Sequence, residues 1–209
     1  MAADGRFARL PVGFFRRSAE AAAADLLGRF LVREEPGSGV RTVARIVETE
    51  AYLGVIDRAS HAWNGRRTER TETLYRAGGC AYVFLVYGMH NCLNVVTGPE
   101  GEASAVLIRA AAPVEGVEVM AMRRGLRRPP RPGDLLGGPG KLCHALAIDR
   151  TFDGAPLDRG DLRIARGEPV TPQQVATGPR IGIDYAGEAV DWPLRFAIRG
   201  NREMSRPFL

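Results

Sequence analysis

Two glutamates and a tyrosine, Glu48, Glu50 and Tyr52, alternate through RIVETEAYLG at residues 45–54. Val43, Ile46, Val47 and Thr49 make the stretch strand-like, and Gly54 closes it. Side chains two apart on a strand share a face, so both carboxylates and the ring line one side. A carboxylate beside an aromatic ring suits a surface edge, and equally a pocket for a flat substrate. Two carboxylates also suggest a glycoside-hydrolase pair, but such groups must flank the scissile bond. Residues i and i+2 on one strand are parallel neighbours, so one of the two is expected to act. Arg109 ends a second apolar run, ASAVLIRAAAP at residues 103–113. An arginine there calls for an anionic partner.

Other reactive residue types fit less well. His61, His90 and His144 with Cys80, Cys92 and Cys143 have no spacing of closely paired metal ligands. Three cysteines cannot all pair internally, which points to a reducing intracellular compartment. LLGGPGK fails as a phosphate loop, because its glycine spacing is wrong and Leu142 follows the lysine. The opening stretch MAADGRFARLPVGFF has no apolar core of signal-peptide length, and no later run is long enough to span a membrane.

The elements that must position these residues follow from pattern. The 209 residues can bury one good core, and a single domain over 1–209 is expected. The 25 glycines and 14 prolines argue against a helix bundle and for an α+β fold. Its sheet should be curved, mostly antiparallel and barrel-like, flanked by helices. Ser18 is placed to cap a helix over AEAAAADLLGRF, with Gly28 as its stop. Residues 34–39 read as a turn and Val40–Tyr52 as a strand with a bend. The polar segment from Leu53 to Gly79, with Arg66, Arg67 and Arg70, reads as a long functional loop.

CAYVFLVYGMHNCLNVV reads as a protruding hairpin with Gly88 near its turn and Tyr87 at its tip. Phe84 and Tyr87 differ in strand parity, so one can line a cavity while the other projects. VEGVEVMAMRRGLRR and GKLCHALAI read as helices, and RIGID and PLRFAIRG as late strands. The net charge of +5 comes from arginine, since Lys141 is the only lysine. Arginine suits phosphate contacts, which makes nucleic acid a candidate partner.

RIVETEAYLG, the histidine of RASHAWNGRRTER, YVFLVYGMHNCLNVV, AVLIRAAAPVEG, GPGKLCHALAI and PLRFAIRG, in this order, resemble the alkyladenine (3-methyladenine) DNA glycosylase family. The resemblance runs from about residue 10 to the C-terminus and rests on ETEAY, YGM with C-x-N, and LIRA-x-P together. It implies a monofunctional glycosylase that flips alkylated or deaminated purines (the 3-methyladenine, 7-methylguanine, hypoxanthine and ethenoadenine class) out of duplex DNA and hydrolyses the N-glycosidic bond. It implies no metal and no organic cofactor, a monomer, and a cytoplasmic, nucleoid-associated protein if the source is bacterial. By resemblance, Glu50 is the general base and Arg109 its companion. Tyr52, His61 and Phe84 wall the base pocket, and Asn94 crowds out the amino group of normal guanine. Tyr87, with Met89 and His90 beside it, is the intercalating tip, while Thr68, Arg70 and Lys141 touch phosphates. Two residues depart from the family's pattern: many relatives carry tyrosine at Phe84 and at His90. A non-catalytic binder of double-stranded nucleic acid accounts for the arginines and Tyr87 but not for Glu50. A hydrolase of free nucleosides accounts for Glu50 but not for the basic charge.

Overall fold

The computed structural model describes residues 7–208, and the reading of the N-terminal stretch lies outside them for residues 1–6. Eight strands form one sheet: β1 Phe30–Glu34, β2 Arg41–Tyr52, β3 Ala81–Val86, β4 His90–Thr97, β5 Ser104–Glu115, β6 Leu162–Ala165, β7 Val175–Gly178 and β8 Arg195–Ile198. The order is β3-β4-β5-β2-β1-β6, with β8 added to β2 and β7 to β8. Every pairing is antiparallel. β2 is the axis of this curled half-barrel. One edge carries β5, while the other pairs with β1 over Arg41–Arg45 and with β8 over Glu48–Glu50.

Three helices accompany the sheet: α1 Ala19–Leu26, α2 Val117–Arg123 and α3 Pro139–Ala145. Ser18 Oγ accepts the Ala21 N–H at the start of α1, as its sequence position implies. Ala19, Ala22, Ala23 and Leu26 bury one helical face. The chain then turns at Gly28 (φ 80°), where a Cβ would stand 2.3 Å from the Glu168 carbonyl oxygen. α3 ends at Ala145, short of the expected Ile148, where Ala147 takes a left-handed φ of 51°.

Alternation divides the side chains between two compartments. Val83, Leu93, Val95, Val106 and Ile108 join α1 and α3 in the main core. Their neighbours Tyr82, Phe84, Val96 and Ala105 form a second cluster under the loop that holds Ala62, Leu74 and Tyr75. β2 changes sides part-way. Ala44 and Ile46 face the main core, yet beyond the bulge at Val47–Glu48 it is Thr49 and Ala51 that do. Thr49 Oγ1 donates to the Ala23 carbonyl of α1, which pins that register. One extra residue exchanges the faces of a strand, so this bulge is what turns Glu48, Glu50 and Tyr52 away from α1.

RIGID does not form a strand. Arg180–Asp184 runs irregularly after Pro179, with Gly182 at φ 76°. The Ile181 N–H is taken by a side chain, Glu50 Oε1 at 2.7 Å, rather than by a neighbouring strand. The strand formed nearby is β7, just before it, which the sequence reading did not anticipate; nor did it anticipate β6.

Candidate active site

Tyr52, His61, Phe84, Asn94 and Arg109 converge on a cavity of about 320 Å³. β2, β3, β4 and β5 present them from the face opposite α1, and the loop carrying His61 closes one side. Irregular residues 181–183 and the exposed ring of Tyr185 line the cavity as well. Glu50 is fully buried directly behind the wall. Its Oε2 accepts the Tyr52 hydroxyl at 2.9 Å and Arg109 Nη1 at 3.2 Å, and its Oε1 accepts the Ile181 N–H.

The two carboxylates are not equivalent. A carboxylate offers about four acceptor positions. Glu48 accepts four bonds, mostly on one oxygen: Oε1 accepts Arg195 Nε at 2.7 Å, Ser205 Oγ at 2.8 Å and Arg109 Nε at 3.3 Å, and Oε2 accepts the Ser205 N–H at 2.6 Å. Glu50 accepts three bonds and keeps one position open, on Oε1. What separates the two is location: all three donors to Glu50 belong to residues that line the cavity, whereas Arg195 and Ser205 do not line it. With Arg109 and Arg195 the pair forms a charge-balanced buried cluster. Burial opposes the charge on Arg109, but Glu50 and Glu48 outweigh it and hold the guanidinium above its usual pKa.

Unlike Arg109, the cavity-lining groups of His61, Tyr82, Tyr52 and Cys92 stay neutral at physiological pH. Burial, reinforced by Arg70 and Arg66, pushes His61 down to about 4. His61 Nδ1 shares a hydrogen bond with the Tyr82 hydroxyl at 2.9 Å. Burial lifts that phenol to about 12. Burial and then Glu50 push Tyr52 well above the ordinary tyrosine range, so it remains a donor. Burial also raises Cys92 to about 11, which leaves an unreactive thiol at the cavity wall. His61 stands edge-on to Phe84, ring centroids 4.5 Å apart, and Tyr82 lies 5.3 Å from Phe84. Asn94 donates from Nδ2 to the Tyr82 carbonyl, which fixes its side chain at the wall. Behind Tyr52, Arg180 lies 4.7 Å from the ring centroid and forms a fully buried ion pair with Asp57. That pair ties the 181–183 segment to the loop on the other side of the cavity.

The remaining expected residues lie at the surface. Tyr87 is 88% exposed at the hairpin turn between Val86 and His90, with φ 51°, and its ring reaches the cavity mouth. Met89 is 70% exposed. Met89 and His90 flank a second groove, which Lys141, Arg124 and His144 also line. Arg70 lies 5.6 Å from the Phe84 ring centroid, and exposed Thr68 is tied to Thr71 in a tight turn. Lys141 donates to the Gly133 carbonyl at 2.9 Å. Among the described residues, no three His, Cys, Asp or Glu side chains are grouped to hold a metal. No helix among them is long and apolar enough to cross a membrane.

The sequence profile for "Methylpurine-DNA glycosylase (MPG)" matches residues 13–202. The chain belongs to the methylpurine-DNA glycosylase family. Relatives in this family, provisionally named as 3-methyladenine DNA glycosylases, are close in sequence. One from Desulfitobacterium hafniense is 46% identical over 202 residues, covering 94% of this chain and 98% of the relative. One from Clostridium beijerinckii is 45% identical over 199 residues, covering 92% and 97%. One from Bacillus licheniformis is 46% identical over 200 residues, covering 94% and 96%.

Within this member of the family, three contributors to the site were not singled out from the sequence: Tyr82, the Ile181 backbone N–H, and the Arg195 and Ser205 donors that hold Glu48. Tyr82 was within reach, because it shares strand parity with Phe84. The other two depend on long-range contacts that local pattern does not encode.

Proposed function

We propose that the chain is a monofunctional DNA-3-methyladenine glycosylase that rotates alkylated or deaminated purines out of duplex DNA and hydrolyses the N-glycosidic bond. The observation that carries this reading is the placement of Glu50, a buried carboxylate whose three donors, Tyr52, Arg109 and Ile181, all line an aromatic cavity. The cavity volume falls at the lower end of the roughly 300–1,000 Å³ typical of ligand pockets, as a single base requires.

In the proposed reaction, Tyr87 enters the stack at the lesion, with Met89 and His90 against the flanking nucleotides. Extrusion costs a few kcal/mol, which a wedging aromatic offsets in part. The purine enters between Tyr52, His61 and Phe84, each stacked base being worth roughly 1–3 kcal/mol. Asn94 crowds the position where normal guanine carries its amino group. Arg109 and Glu50 Oε1 hold a water against the sugar. The bond from C1′ to the base nitrogen breaks, its electron pair leaves with the base, and the water oxygen bonds to C1′. Glu50 takes the water's proton. Thr68, Arg70 and Lys141 contact phosphates along the strand. The product is an abasic site, because Lys141 and the N-terminal amine are the only amines that could form a Schiff base. The hydrolytic chemistry acts on DNA inside the cell, with the protein working as a monomer over a single domain.

The test is a panel of duplex oligonucleotides bearing 3-methyladenine analogues, 7-methylguanine, hypoxanthine or ethenoadenine, each incubated with the protein and then treated with alkali. Strand scission at a lesion only after alkali supports the reading. Salt-sensitive binding without scission would establish a binding protein instead. Scission before alkali, with a borohydride-trapped adduct, would overturn the monofunctional assignment.

A further inference from the structure

Arg109 reaches Glu50 through Nη1 alone; its other two nitrogens are held elsewhere. Nε donates to Glu48 Oε1 and to Ser205 Oγ, and Nη2 donates to Ser205 Oγ, each at 3.3 Å. Among the described residues, Ser205 is the sole partner of Nη2. The same hydroxyl donates to Glu48 Oε1 at 2.8 Å, and the Ser205 N–H donates to Oε2 at 2.6 Å. Four bonds thus converge on one serine near the end of the chain.

The segment that carries Ser205 is fastened on both sides. Before it, Glu203 Oε2 accepts the Gly133 N–H at 2.7 Å. After it, Arg195 Nη2 donates to the Arg206 carbonyl, and the Arg195 guanidinium lies 4.1 Å from the Phe208 ring centroid. Arg195 in turn is bound to Glu48. Residues 203–208 therefore form a strap across the buried charge cluster, and none of them lines the cavity.

We propose that Ser205 is a positioning residue for the glycosylase reaction: its hydroxyl locks the Nε–Nη2 edge of Arg109 so that Nη1 stays on Glu50. The cavity beside Arg109 gives the guanidinium room to swing once that edge is released. Without the hydroxyl, Nη2 loses its partner and Glu50 loses the fixed direction of its cationic neighbour. Arg109 is the cavity-lining residue hydrogen-bonded to Ser205, while Tyr52, His61, Phe84 and Asn94 share no hydrogen bond with it, so stacking of the base does not depend on it. The inference rests on the glycosylase reading above.

The experiment compares full-length wild type, Ser205→Ala and Ser205→Thr on a hypoxanthine duplex. Single-turnover excision is measured alongside the Kd for a duplex bearing an uncleavable lesion analogue. Misplacing a catalytic group by about 1 Å costs about 100-fold, so Ser205→Ala should excise about 10- to 100-fold more slowly. Its Kd should stay within about two-fold of wild type, and Ser205→Thr, which keeps the hydroxyl, should recover most of the rate. Should Ser205→Ala melt below the assay temperature, the near-isosteric Ser205→Cys replaces it with the same expectations. A folded variant that excises at the wild-type rate overturns the proposal. So does a rate loss matched by an equal loss of binding, or a threonine variant as slow as the alanine one. If wild type excises no lesion at all, the glycosylase reading itself has failed.

Discussion

Tyr52 donates its hydroxyl to Glu50 Oε2 across 2.9 Å, from two residues along the same strand. One side chain thus offers a ring to the cavity and a proton to the carboxylate behind it. Tyr52→Phe separates the two roles. A hydrogen bond to a charged group is worth about 1.5–3 kcal/mol, so turnover should fall roughly 10- to 100-fold while lesion affinity holds, because the ring remains. Paired Kd and single-turnover measurements decide this; equal losses in both would show that the hydroxyl acts in binding.

Glu50→Gln keeps the shape of the site and removes the proposed base. The amide oxygen can still accept the Ile181 N–H, and the Tyr52 hydroxyl can reverse to accept from the amide nitrogen, so the one donor left opposed is Arg109 Nη1. The variant should fold and bind lesion DNA, with excision reduced about 10²- to 10⁴-fold. Excision at the wild-type rate would remove Glu50 as the base.

Glu48→Gln should fail differently. Glu48 accepts bonds on both oxygens from Arg195, Arg109 and Ser205 and is the anion that both guanidiniums share, so the amide leaves Arg195 as well as Arg109 short of a counter-charge. Breaking a buried ion cluster from one side costs about 3–5 kcal/mol. Urea unfolding should show that loss for Glu48→Gln and a smaller one for Glu50→Gln. The reverse order would mean that the two carboxylates have been assigned the wrong roles.

The contrast between these glutamates marks where the sequence stops being informative. Alternation alone put Glu48, Glu50 and Tyr52 on one face, and the hairpin at Tyr87–Gly88 followed from its flanking runs. Yet the same alternation, carried back through Ile46, would have turned that face toward α1. The bulge at Val47 reverses it, and no residue type there announces a bulge. RIGID misled for a related reason: its apolar pattern is that of a strand, but Arg180 is drawn inward to Asp57 and the Ile181 N–H to Glu50. Both partners lie more than a hundred residues away. Short-range pattern reports which face a residue takes, whereas the donors that separate the two carboxylates come from distant parts of the chain.

His61 gives the fold a pH dependence of known sign. Burial, with Arg70 and Arg66 nearby, lowers its pKa from 6.5 to about 4, so the folded state resists protonation. Between those values the unfolded chain binds more protons than the folded one. Stability from this group is therefore complete above about pH 6.5 and declines as the pH falls toward 4. At 1.36 kcal/mol per unit the loss is at most about 3 kcal/mol, reduced because the ring is only partly buried. Melting temperatures measured from pH 7 to 4 should fall more steeply for wild type than for His61→Asn. Parallel curves would show that His61 does not titrate in this way.

Tyr87 is a large aromatic in a left-handed backbone conformation, φ 51°, with almost all of its surface in water. Such a conformation costs a bulky residue about 1–3 kcal/mol, and an exposed ring returns little packing to offset it. Glycine adopts the same φ without strain, so Tyr87→Gly should leave the melting temperature unchanged or raise it. If the ring fills the gap left by an extruded nucleotide, the same variant should lose about 10-fold or more in affinity for a lesion duplex, the worth of one stacked base. Stability and binding would then move in opposite directions on removing one side chain, as expected of a residue retained for contact with DNA. A Tyr87→Gly protein that is markedly less stable would show instead that the ring supports the hairpin.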